Sequence, residues 1–86
     1  QYSVLVHMMA QVSGLKAGEL VHVIADAHIY DRHVPAVEKL LALEPQSAPT
    51  FHMDEAVTDF YRFTRDSFSL EDYHPLPFDD EIPVAI

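Results

Sequence analysis

A chain of 86 residues without a single cysteine has few ways to hold itself together. At this size folding removes only somewhat more than roughly 60% of the unfolded surface from water, and small free-standing domains usually add disulfides or a metal to compensate. With disulfides closed off, the options are an idealised core, a partner, or more chain. The composition is otherwise that of a globular protein, 49% apolar and 22% charged, with no low-complexity tract. Gln1 is not an initiator methionine, and a helical pattern is already under way at Tyr2. We therefore expect a piece of a longer polypeptide.

Charge narrows the function classes. Five Lys and Arg stand against fourteen Asp and Glu, a net of −9. Nucleic-acid binding needs clustered cations to displace counterions, so it is not expected. The only arginines, Arg32, Arg62 and Arg65, are scattered, which argues against a main phosphate site in this segment. Val4 to Met9 is apolar but far too short to span a membrane, and no basic residue precedes it as a signal peptide requires. The lack of cysteine leaves the redox compartment open, and a cytoplasmic location is the default expectation.

Along the chain, Leu5, Met8, Met9 and Val12 fall at helical spacing, and Gly14 supplies a left-handed stop. Lys16 to Glu19 reads as a polar turn. Leu20 to Tyr30, rich in Val and Ile and free of Gly and Pro, reads as a strand. Asp31 is placed to cap a second helix, with Pro35 in its first turn and an apolar stripe of Val34, Val37, Leu40 and Leu41, ended by Pro45. After a loop to Pro49, short strands are expected at Thr50 to Met53 and Phe68 to Tyr73, with a turn or short helical piece over Asp54 to Thr58. Phe60, Tyr61 and Phe63 read as core aromatics. Beyond His74, three prolines and the acidic run Asp79 to Glu81, a solvated face, indicate an extended tail. No linker divides the chain.

The predicted strand carries the most chemistry. Side chains alternate across a strand, so Val21, Val23, Ala25, Ala27 and Ile29 form an apolar face to pack on a core. The opposite face carries His22, Ile24, Asp26, His28 and Tyr30 and becomes polar toward its end. Such groups are costly to bury without partners. The pattern leaves two readings open: they bond the local backbone or face solvent, or they grip a polar ligand in a cavity. Six histidines raise the question of a metal, but His28 and His33 are five apart and no HExxH or Cys/His pairing exists, so no metal site is expected. His7, His22, His52 and His74 read as surface or locally bonded residues.

Asp26-Ala27-His28-Ile29-Tyr30 followed by His33 resembles the Asp-x-His-x-Tyr-x-x-His motif of thymidylate synthases. Three further stretches sit in the order of that family: Gln1-Tyr2 leading to Met9-Ala10-Gln11-Val12-Ser13-Gly14; Asp59-Phe60 and Asp66-Ser67-Phe68 before Leu70-Glu71-Asp72-Tyr73; and the terminal Pro83-Val84-Ala85-Ile86. The resemblance covers essentially the whole chain and implies an α+β fold, a mixed sheet covered by helices. Residues 1–86 would be the C-terminal segment of a single domain, with 83–86 as a closing tail. It implies that His28 and Tyr30 hydrogen-bond the ribose 3′-hydroxyl of dUMP, with Asp26 supporting them. A hydroxyl both donates and accepts, as do tyrosine and neutral histidine. Many family members have Gly before this Asp; Ala25 departs from that by one methyl near the pocket wall.

The same resemblance implies reductive methylation of dUMP to dTMP, with 5,10-methylenetetrahydrofolate as one-carbon donor and reductant, in a homodimer. Val84 and Ala85 would touch the folate, and Ile86 would supply a carboxylate that holds the closed form and excludes water. The nucleophilic cysteine and the phosphate-binding arginines would lie in the rest of the enzyme, so no catalytic residue is assigned here and the chain alone is expected to be inactive. Two alternatives remain: a pyrimidine-nucleotide hydroxymethylase of the same superfamily, and a non-catalytic stand-alone interaction module.

Overall fold

The computed structural model describes residues 1–84. Ala85 and Ile86, expected at the folate and in the closing carboxylate, lie outside the described residues. Helix α1 (Tyr2–Ser13) ends where Gly14 adopts φ 71°, ψ 20°. The Leu15 N–H donates to the Ala10 carbonyl (2.9 Å) and Gly14 to Gln11 (3.2 Å), the paired bonds of a Schellman close. The half-buried positions of α1 include Val4, Met8, Gln11 and Val12, one face at helical spacing, while Leu5 and Met9 are exposed.

Strands β1 (Thr50–Met53) and β2 (Phe68–Glu71) pair antiparallel, with Phe51 opposite Leu70 and Met53 opposite Phe68. Period-two alternation puts those four apolar residues on one face and Thr50, His52, Ser69 and Glu71 on the other. His52 and Glu71 meet there at 2.8 Å. The apolar face is an aromatic cluster: Phe51 and Phe63 both stack on Phe68 (6.0 and 5.5 Å between centroids), and His7 of α1 lies 5.0 Å from Phe51. Gln11 joins α1 to the turn that follows β1, its amide nitrogen donating to the carbonyls of Asp54 (2.8 Å) and Val57 (2.7 Å).

Between the strands lie two 3₁₀ turns, Phe60–Arg62 and Arg65–Ser67, which patterning did not anticipate. Asp59 accepts from the Tyr61 N–H at 3.0 Å, and the Ser67 hydroxyl accepts from the Thr64 N–H at 3.0 Å; short polar side chains satisfying nearby backbone groups favour such turns over longer helices. Phe60 and Phe63 are half-buried as expected, but Tyr61 is 91% exposed, because the turn rotates it away from the cluster. The expected turn over Asp54 to Thr58 is present, with the Asp54 carboxylate accepting from the Ala56 N–H.

Leu20 to Tyr30 differs from expectation. It carries no ladder, bends at Ala25–Asp26, and leaves Val21 and Val23 about four-fifths exposed. A strand needs a neighbour for its N–H and C=O groups, and β1 and β2 use each other. The residues after it form a 3₁₀ turn (Asp31–His33) leading into helix α2 (Val34–Leu41), and Asp31 makes no side-chain cap. The helix closes at Leu41, four residues before Pro45; Ala36 and Val37 face inward while Leu40 and Leu41 are exposed.

Surface and size agree with these bare faces. The accessible area is 7812 Å², where a self-contained globule of 9.8 kDa would show about 5,200 Å². The radius of gyration is 17.0 Å, against about 12 Å for a compact chain of this length. Among the described residues only Ala36, His33 and Ser67 are buried. No described helix is long and apolar enough to cross a membrane.

Candidate functional site

The end of the 20–30 segment, the turn after it and the tail surround one cleft of about 340 Å³. His28, Ile29 and Tyr30 line it from the segment, His33 from the turn, Val37 from α2, and Ile82, Pro83 and Val84 from the tail. The tail is tied down at two points. Arg32 donates to the Pro83 carbonyl at 3.4 Å, and Lys39 pairs with the Asp80 carboxylate at 3.0 Å. Asp80 therefore departs from the expectation that the acidic run is only a solvated face.

His28 and Tyr30 come together as a period-two pattern requires, their ring centroids 5.2 Å apart. The His28 Nδ1 lies 3.2 Å from the Asp26 carbonyl oxygen and 3.5 Å from its carboxylate. Both are acceptors, so the tautomer that satisfies them carries its hydrogen on Nδ1 and leaves Nε2 as an acceptor. The Asp26 side chain is almost fully exposed and does not itself line the cleft. Tyr30 is half-buried between two imidazoles, with His33 also at 5.2 Å. The lining holds two imidazoles and one phenol amid apolar groups, with no lysine or arginine. Such a set suits a neutral hydroxyl on a partly apolar ligand better than a phosphate.

Sequence reasoning placed His28, Tyr30 and Val84 in the site, and all three line the cleft. It also placed Pro83 in the closing tail, but gave no place in the site to Val37 or Ile82, or to Ile29, which it assigned to the opposite face. Helical spacing marked Val37 as inward-facing, but only the tail's path shows that it faces a cleft. His33 stood in the motif without a role. It is buried to 8% exposure and its Nε2 has no hydrogen-bond partner among the described residues. No described group of three or more His, Cys, Asp or Glu is arranged to hold a metal.

Comparison with known proteins places the geometry. The family model described as thymidylate synthase matches residues 1–86. Among solved structures, the thermostable thymidylate synthase A from Bacillus subtilis superposes with a TM-score of 0.83 at 35% identity, over 99% of this chain and 30% of that one. The chain thus spans about a third of the length of the protein it matches.

Proposed function

Because the chain belongs to the thymidylate synthase family, we propose that it is the C-terminal segment of an enzyme domain that makes dTMP from dUMP by reductive methylation. The one-carbon donor and reductant is 5,10-methylenetetrahydrofolate. His28 and Tyr30 grip the ribose 3′-hydroxyl: His28 Nε2 accepts its proton, and the Tyr30 hydroxyl donates to its oxygen. Asp26 supports His28. The tail covers the bound pair, with Val84 and Ala85 on the folate side and Ile86 supplying the closing carboxylate. Closure excludes water from the reacting groups.

The observation that carries this reading is the meeting of His28 and Tyr30 in a cleft free of cations, with Val84 on its far side. Its chemistry fits the sugar of a nucleotide, and leaves the phosphate and the attack on the base to other residues. This chain contains no cysteine, so the thiolate that adds to the pyrimidine comes from the rest of the enzyme, which works as a homodimer in the cytoplasm. The excess of exposed surface supports a segment of a larger domain over a stand-alone module.

The test is dUMP binding by the complete protein. His28→Ala or Tyr30→Phe should each weaken it by about 1–3 kcal/mol, as expected for a buried partner left unpaired. Unchanged affinity by calorimetry in both variants would remove the ribose assignment. Turnover with dUMP against other pyrimidine nucleotides, scored by product mass, separates methylation from hydroxymethylation.

A further inference from the structure

His33 has no part in the grip just described, yet it is one of three buried residues in the described chain. Its N–H donates to the Tyr30 carbonyl at 2.8 Å, closing the turn directly beneath the tyrosine. Its ring lies 5.2 Å from the Tyr30 ring at 44°, on a cleft shared with His28 and the tail. Tyr30 is therefore bracketed by imidazoles. One of them, His28, is half-exposed; the other is buried.

Among the described residues, the Nε2 of this buried imidazole has no hydrogen-bond partner. If filling space behind Tyr30 were its only task, an apolar ring would do so without the penalty of a desolvated polar atom. A nitrogen at this place is useful if the assembled site supplies a hydrogen bond to it. Resting on the ribose reading above, we propose that His33 is a positioning residue. Its Nε2 takes a hydrogen bond that forms only in the assembled, nucleotide-bound site, and that bond holds in place the side chain on which the Tyr30 phenol rests. The ribose grip then consists of two groups that touch the sugar and one that aims the second of them.

The experiment compares wild type, His28→Ala, Tyr30→Phe, His33→Phe, His33→Gln and His33→Asn in the complete protein. It measures dUMP affinity, the separate changes in KM and kcat, and thermal melting. The Gln amide reaches the position of Nε2, whereas the Asn amide reaches only that of Nδ1. His33→Phe should raise the Kd and KM for dUMP about tenfold with little loss of melting temperature. His33→Gln should stay near wild type, and His33→Asn should fall with the Phe variant. Full dUMP affinity in His33→Phe, while Tyr30→Phe loses it, overturns the positioning role alone. Full affinity in Tyr30→Phe takes the tyrosine out of the grip and so overturns the positioning role, and full affinity in His28→Ala as well overturns the ribose reading itself. Should His33→Phe fail to fold, the amide pair decides: Gln tight and Asn weak supports the proposal, and equal affinities overturn it.

Discussion

The β1–β2 unit and the segment from Leu20 to Tyr30 are both rich in strand-forming residues, and they meet opposite fates. The first closes on itself. Its two strands exchange backbone hydrogen bonds, its apolar face gathers Phe51, Phe63 and Phe68, and Gln11 fastens it to α1. The second has equal propensity but no neighbour, and Val21, Val23 and Ile29 stay exposed. Propensity selects a conformation; a partner makes it a strand. The cleft lined by His28 and Tyr30 sits at the end of the unpartnered segment, so its walls hang on backbone that no ladder holds.

Hydrogen exchange gives the largest test of this contrast. Passing from the 86-residue chain to the complete protein, amides between Val21 and Ile29 should gain protection by about a hundredfold or more, as a strand entering a ladder does. Those of β1 and β2 should gain much less. Equal gains in both regions would erase the distinction, and early protection at 21–29 would mean that the segment finds a partner within the chain. Next in size is Phe68→Ala, which removes the ring on which two others stack. Half-burial sets the expected loss near 2 kcal/mol, below the range for fully buried phenylalanines, as read from the denaturant midpoint. A negligible loss would show that the cluster does not hold the unit together. Smallest is Gln11→Ala, at about 1 kcal/mol, for two carbonyls left to find water. It should also speed exchange at Asp54 to Val57, and no local change there would deny that Gln11 couples helix to loop.

What the sequence disclosed follows the same line. Elements that depend on nearby residues were legible: α1 with its Gly14 stop, β1 to the residue, and the start of β2. The nearness of His28 and Tyr30 follows from their i, i+2 spacing on extended backbone, although Ile29, expected on the opposite face, lines the same cleft. Less visible was whatever depends on where distant chain travels. Tyr61 was read as core because aromatic identity does not show which way a 3₁₀ turn rotates it. Asp80 was read as solvated because its partner, Lys39, lies forty-one residues earlier. The Leu20 to Tyr30 ladder was expected because a sequence shows a strand's appetite for neighbours and not their supply.

Gln11 carries a chemical liability that its two short bonds make specific. Both hydrogens of one amide nitrogen are committed, each to a different carbonyl. Deamidation would exchange that double donor for a carboxylate facing two acceptor oxygens, turning attraction into repulsion without changing the side chain's size. Slow hydrolysis at this one position would therefore age the molecule where α1 meets the turn after β1, while leaving the His28–Tyr30 end chemically intact.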